Sequence, residues 1–242
     1  MINLFKKVRK NLLSENKLGR YLFYALGEII LVVVGILIAL QINIWNENRK
    51  KEILELSLLR EMKSNLKSDI SDIEENIYFA ENGIKSANII LKSFDNNFPY
   101  NDSLNKYYGK VPMTPKFLMT ENAYESMNNV GIRIIKNDSL REAITNHYQI
   151  KAGWAKVWND AEWNTQMHDH RNMYRKLFKK FNFWGDLVPL NYDELSKNQE
   201  YINYLNNRTG WLNPTIGLYK KQIIYSKRLI NFIDVELKNR EN

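Results

Sequence analysis

Cysteine is absent from all 242 residues, which excludes disulfides, a thiol nucleophile and any thiolate metal site. That absence fits an extracytoplasmic bacterial domain. Five prolines and ten glycines are too few for a loop-rich or all-β chain. No long repeat is present, which sets aside solenoids and propellers. Catalytic signatures are missing too: there is no G-x-S-x-G elbow, no phosphate-binding glycine loop, no H-E-x-x-H and no calcium loop.

Histidine is scarce, with three copies, and two of them form His168-Asp169-His170. On a helix, residues i and i+2 point about 200° apart, so this pair cannot share a metal as an i,i+4 pair can. A solvated helical face is the expected setting. His147, alone beside Tyr148, is expected to pack or hydrogen-bond. Asp193 and Glu194 suit the start of a helix, where carboxylates oppose the backbone dipole. Asp72, Glu74 and Glu75 read as the polar face of a long helix. With no convergent acid, base and nucleophile, neither an enzyme nor a cofactor is expected.

The formal net charge is +8. Six cations in residues 1–45 (Lys6, Lys7, Arg9, Lys10, Lys17 and Arg20) face only Glu15 and Glu28, so half of the excess sits on a short tail. The rest of the chain interleaves acids and bases, as ordinary solvated surfaces do. Nucleic acid is therefore not an expected partner, whereas anionic lipid headgroups beside the tail are.

The tail leads into Tyr21–Trp45, which includes GEIILVVVGILIALQINIW. As a helix these residues cover about 37 Å, against a hydrocarbon thickness of about 30 Å. The strictly apolar part, Ile29–Leu40, is short enough for a buried soluble helix. Three features favour a span: it is apolar on every face, Tyr21, Tyr24 and Trp45 stand at its margins, and basic clusters flank both ends. Gln41–Trp45 offers no small-x-small cleavage site, so an uncleaved signal anchor is expected. Lys and Arg counts on the two flanks tie, with Arg49, Lys50, Lys51, Arg60, Lys63 and Lys67 following the span. Long domains translocate largely regardless of charge, whereas a short basic tail does not. The expectation is a cytoplasmic tail (1–20), a transmembrane helix (21–45) and a periplasmic domain (46–242) on a bacterial inner membrane. Leu4, Phe5, Val8 and Leu12 would let the tail lie on the inner leaflet as an amphipathic helix.

The run GEIILVVVGILIALQINIWNENRK, with the upstream KKVRKNLLSENKLGRYLFYALGE, resembles the opening of an uncharacterised family of single-span membrane proteins from Bacteroidetes. Ala123-Tyr124-Glu125, Gly131 and Asn137-Asp138-Ser139-Leu140-Arg141 extend the resemblance more loosely. It implies an inner-membrane anchor with a helical domain, and it transfers no catalytic residues because the family has no established activity.

Within the span, Ala25, Glu28, Val32, Gly35, Ala39 and Ile42 recur at alternating intervals of three and four and share one helical stripe. Gly35 and Ala39 form a small-xxx-small pair that permits close helix approach. Glu28 on that stripe either sits among headgroups or faces a partner helix. Five of these residues, Ala25, Glu28, Val32, Gly35 and Ala39, form the candidate helix–helix interface.

Beyond Trp45 the periodicity resumes through Leu59, Met62, Leu66, Ile70, Ile73, Ile77, Ala80, Ile84, Ala87, Leu91 and Phe94. It predicts a helix over about 52–93, which is continuous with the span unless residues 46–51 break it. Residues 95–137 are irregular, with a short helix near 121–129 and a brief strand around Val130–Ile135. Ser139-x-x-Glu142 reads as a capping box for a long helix towards Phe181. A shorter helix over about 192–207 stops at Thr209-Gly210. A last helix then starts with Asn213 as its cap and Pro214 in its first position, and Ile216, Tyr219, Ile223, Ile230, Ile233 and Leu237 form its stripe.

Aromatics concentrate in one third of the chain: Trp154, Trp158, Trp163, Phe178, Phe181, Phe183 and Trp184. Trp154, Trp158 and Ala161 follow core spacing, and Trp154, Trp158 and Trp163 are candidates to meet a ligand or partner. Altogether the fold class expected is all-α: a single N-terminal transmembrane helix followed by an extracytoplasmic antiparallel helical bundle. The expected role is a non-enzymatic interaction or scaffold module that self-associates or joins a membrane-protein partner. The alternative is a ligand-sensing domain that signals through a partner protein.

Overall fold

The computed structural model describes residues 18–179 and 185–241, with backbone alone for residues 18, 20, 21, 167–169 and 241. The amphipathic tail (1–17) and the aromatics Phe181, Phe183 and Trp184 lie outside the described residues. The described chain is helical and contains no β-strand, only an isolated bridge between Phe178 and Pro189. It divides into two compact units, Met1–Leu54 and Glu55–Asn242.

Helix α1 (Leu18–Asp95) contributes to both units without a break. No proline interrupts it, and no β-branched or glycine cluster lies at residues 46–51 to end it. In the first unit, Arg49 stands over the Trp45 ring at 5.9 Å and Lys50 pairs with Glu47 at 3.0 Å. The Leu22-onward part of α1 holds an apolar window of mean hydropathy 2.6, long and apolar enough to cross a membrane.

The second unit is a helical bundle. Its elements after α1 are α2 (Asn105–Lys110), α3 (Asn122–Val130), α4 (Asp138–Thr145), α5 (Ala152–Asn164), α6 (Arg171–Leu177), α7 (Tyr192–Leu195) and α8 (Gln199–Glu241). Two π-helical turns, Asn146–Lys151 and Thr165–His170, splice α4, α5 and α6 into one run.

Burial on α1 follows a strict heptad: Glu55, Leu59, Met62, Leu66, Asp69, Ile73, Asn76, Ala80, Gly83, Ala87, Ile90 and Phe94 are all buried. The expected stripe is correct at Leu59, Met62, Leu66, Ile73, Ala80, Ala87 and Phe94. It is one position off at Ile70, Ile77, Ile84 and Leu91, which are half-buried flanks. α8 repeats the pattern through Tyr201, Leu205, Arg208, Leu212, Thr215, Tyr219, Gln222, Ser226, Leu229, Ile233 and Glu236. Ile223 and Ile230 flank that row.

The core clusters fix the directions. Leu59 and Met62 at the start of the α1 segment pack with Ile144, Ile233 and Leu237, whereas Ile90 and Phe94 at its end pack with Tyr174, Tyr201 and Leu205. α8 is therefore antiparallel to both other long elements, while the α4–α6 run is parallel to α1. A parallel pair needs a return connection, and residues 96–137 supply it. Leu104, Tyr108 and Val111 join the far core cluster, Phe117 packs with Ile73 and Tyr219 midway, and Ala123, Met127 and Ile135 join the near cluster. Each fully buried Leu, Ile or Met contributes about 1.5–3 kcal/mol through surface removed from water.

Several boundaries differ from the sequence reading. The Val130–Ile135 strand is instead a glycine at φ 105°, a 3-10 turn (Ile132–Ile134) and a loop. The cap of α4 is Asn137, whose side chain accepts from the Leu140 N–H, and not Ser139. α8 runs through Thr209, Gly210, Asn213 and Pro214 without a stop. A proline in a helix interior clashes with the carbonyl four residues back. That residue is Gly210, the most pliable choice, and the buried row Arg208–Leu212–Thr215–Tyr219 continues across it.

Candidate functional site

The helix–helix stripe lies on the first unit. Glu28, Val32, Gly35 and Ala39 are exposed, Ala25 is half-buried, and a Cβ added at Gly35 meets nothing within 4 Å. Spacing puts all five on one face of α1, and no described residue covers them.

The aromatic candidates do not converge. Trp154 is 70% exposed and Ala161 is exposed as well, so they do not form the core face. That face is Ala152, Ala155, Asn159 and Glu162, small or polar side chains where the elements crowd together. Trp158 is half-buried, donates from Nε1 to Thr215 Oγ1 at 2.8 Å and lies 5.1 Å from Trp211. Trp163 is capped by Lys116 Nζ at 5.3 Å from its ring centre. A different aromatic group forms the far core, with Tyr108, Tyr174, Phe178, Tyr201 and Tyr204 at centroid distances such as 5.3 Å for Tyr108–Phe178 and 5.6 Å for Tyr174–Tyr204.

His168 and Asp169 side chains lie outside the described residues, and the His170 ring rests 4.5 Å from Tyr204. Among the described residues no group of three or more His, Asp or Glu is arranged to hold a metal ion. Asp193 and Glu194 occupy the first turn of α7, where Asn191 Oδ1 accepts from both their N–H groups. Glu74 and Glu75 are exposed, but Asp72 is half-buried against the return connection.

The densest chemistry runs along that connection, where an extended stretch after Val111 has no helix to satisfy its backbone. Side chains from the heptad rows do so instead. Arg208 donates from Nε to the Val111 carbonyl at 3.0 Å and from Nη2 to the Met113 carbonyl at 2.6 Å, and Nη1 pairs with Glu162. Asn76 Oδ1 accepts from the Lys116 N–H at 2.9 Å. Tyr219 accepts from the Phe117 N–H at 3.2 Å and donates to Asn159 Oδ1 at 2.6 Å, while Asn159 Nδ2 donates to the Phe117 carbonyl at 3.2 Å. Asp69 Oδ1 accepts from the Thr120 N–H at 3.1 Å and from its hydroxyl at 2.7 Å, and Glu55 accepts from the Lys136 N–H at 2.8 Å.

Between this connection and α5 lies a cleft of about 230 Å³. Phe117, Leu118, Met119 and Ala152 give it apolar walls, while Lys116, Glu121, Lys156 and Asp160 bring charge of both signs. Lys116 pairs with Asp160 at 3.2 Å. Tyr148 also lines the cleft, stacked on Tyr124 at 4.5 Å, and both hydroxyls are buried without a hydrogen-bond partner. Behind it, burial lifts the Asp69 carboxyl to about 6 despite its bonds to Thr120, with Asp72 and Glu121 adding to the rise. Burial drives the Tyr148 phenol well above its usual range. Burial also lowers the His147 imidazole to about 4; this ring is 3% exposed, with neither nitrogen hydrogen-bonded.

A family model described as a family of unknown function, DUF6090, matches residues 28–205, well over half of the chain. The chain belongs to DUF6090. The family match starts at Glu28, inside the apolar segment, and ends at Leu205 in the first turns of α8. It therefore takes in the whole return connection, the cleft and the α4–α6 run, while most of α8 lies beyond it. No curated protein and no solved structure matches the chain.

Sequence reasoning missed the cleft and its buried polar row. A signal was present in the heptad frame, where Glu55, Asp69 and Asn76 on α1, and Arg208, Thr215 and Gln222 on α8, stand whole heptads apart. Polar residues at core spacing mark a core that receives polar backbone.

Proposed function

We propose that this protein is a single-pass, membrane-anchored helical interaction module without catalytic activity. Its basic tail rests on anionic headgroups at the cytoplasmic face of a bacterial inner membrane, and its bundle lies in the periplasm. One observation carries this reading: from Leu22 to Trp45 every described side chain is exposed except half-buried Ala25, in a segment that is apolar on all faces. Water strongly disfavours such a surface, and a lipid bilayer with or without a partner helix is its natural solvent. The stripe of Ala25, Glu28, Val32, Gly35 and Ala39 supplies a face for self-association or for a second membrane protein.

Crosslinking of the full chain in native membranes tests the reading. A crosslinked dimer or hetero-complex that Gly35→Leu and Ala39→Leu both diminish is expected. A chain that remains monomeric and captures nothing, or a complex indifferent to both substitutions, counts against the stripe. A second reading, ligand sensing through a partner protein, is favoured by the cleft beside α5, whose buried Tyr148 hydroxyl lacks a protein partner.

A further inference from the structure

We infer that the cleft between the return connection and α5 binds a small zwitterion of amino-acid size, with its ammonium at Glu121 and its carboxylate at Lys156. The inference rests on the ligand-binding reading and is independent of the membrane stripe. Size sets the first limit: about 230 Å³ is below the range of about 300–1,000 Å³ that drug-sized ligands occupy.

Charge sets the second. Of the four charged residues at the cleft, Lys116 and Asp160 already neutralise each other at 3.2 Å. The Glu121 carboxylate and the Lys156 ammonium make no side-chain hydrogen bond or ion pair among the described residues, with each other or with a neighbour. Glu121 stands at the N-cap position of α3, yet its side chain makes no capping bond, so the carboxylate is not occupied by its own helix. An unpaired acid and an unpaired base at one small cleft match a molecule carrying both charges, because a singly charged ligand leaves one of them unmet.

The buried polar group is the third element. The Tyr148 hydroxyl is inaccessible to solvent and unsatisfied, a state that costs free energy unless something bonds to it. Asp69 and Glu121 both bear electrostatically on this hydroxyl, so the end of the ligand suited to it is the ammonium at Glu121, which can donate to the phenol oxygen. Gly153 keeps the space open: it lines the cleft, and a Cβ built on it meets no atom within 4 Å. The apolar wall of Phe117, Leu118 and Met119 remains for a ligand side chain.

The test uses the full chain in detergent micelles, with thermal unfolding and calorimetry against the free L-amino acids. Each amino acid is paired with its methyl ester and its N-acetyl derivative, which lack one charge. At least one free amino acid is expected to raise the unfolding temperature, with its ester and N-acetyl forms binding about tenfold or more weakly. Glu121→Gln and Lys156→Met are each expected to weaken binding by a similar factor. Lys156 is exposed and Glu121 half-buried, and neither belongs to a core cluster. Gly153→Leu, which improves helix propensity while filling the cleft, is expected to abolish binding without lowering stability.

If the esters or N-acetyl forms bind as tightly as the free amino acids and Gly153→Leu still blocks them, the cleft is a ligand site but the zwitterion assignment is wrong. If nothing in the panel binds, the zwitterion assignment falls; if an amino acid binds but ignores all three substitutions, ligand binding stands and its assignment to this cleft falls.

Discussion

Asp69 and His147 are buried titratable groups that pull stability in opposite directions over one pH window. The Asp69 carboxyl, lifted to about 6, holds its proton more tightly folded than unfolded. Its contribution is thus present below about pH 4 and lost as pH rises through 6. The His147 ring, lowered to about 4, binds its proton less tightly when folded, so its contribution is lost as pH falls from about 6.5 to 4. In the wild type the two slopes largely offset. Asp69→Asn keeps an acceptor for Thr120 but removes the carboxyl, so unfolding free energy should rise with pH between 4 and 6.5. His147→Phe should do the reverse, each by about 2 kcal/mol across the window. Urea titrations at several pH values read both, and slopes that match the wild type in either variant contradict these assignments. Arg208 tests the polar row itself. Arg208→Met leaves Glu162 buried and unpaired and should cost about 3–5 kcal/mol. Adding Glu162→Leu should recover only part, because the Val111 and Met113 carbonyls stay orphaned. Full recovery in the double variant would show that those two bonds contribute nothing.

The return connection explains which features of the elements were legible in the sequence. The long helices, the all-α class and the helix at Asn122–Val130 follow from apolar spacing and from few breakers. The phase of the buried row does not follow. Ile70, Ile77 and Ile84 look like core positions, yet Asp69 and Asn76 take the inner places because the non-helical backbone at Thr120 and Lys116 bonds to them, and Gly83 does because the Leu212 side chain and the Lys110 carbonyl lie close against it. Hydrophobicity ranks isoleucine above aspartate, and only knowledge of that neighbour reverses the order. Trp154 has core spacing with Trp158 yet points outward, and the buried face of α5 carries Ala152, Ala155, Asn159 and Glu162 instead. Pro214 reads as a helix start and is an interior residue, since a continuous heptad outweighs one lost hydrogen bond. Close approach is decisive at Gly109 of α2, where an added Cβ would lie 1.9 Å from the Gly185 carbonyl oxygen. The Gly185 atoms that the Cβ would meet belong to backbone and cannot swing aside, so Gly109→Ala should cost about 3 kcal/mol, at the upper end for overpacking. A thermal midpoint unchanged in that variant would mean that the α2 contact is not maintained.

At the scale of the whole molecule, the first unit exposes an apolar helix and the second buries its apolar rows in a bundle core. That division of labour suits a membrane anchor joined to a folded module, and the short basic tail, which does not translocate as a long domain can, sets the proposed direction. Placement is the central claim, because the stripe has a role only within a membrane and the cleft meets only the solutes on the side where the bundle lies. Protease added to intact spheroplasts expressing the full chain tests it most directly, with fragments followed by tags at each terminus. The expected result is rapid loss of the C-terminal tag, with a short N-terminal fragment carrying the tail and span retained in carbonate-washed membranes. Protection of the C-terminal tag until detergent is added, or release of the whole chain by carbonate, would contradict the proposed topology.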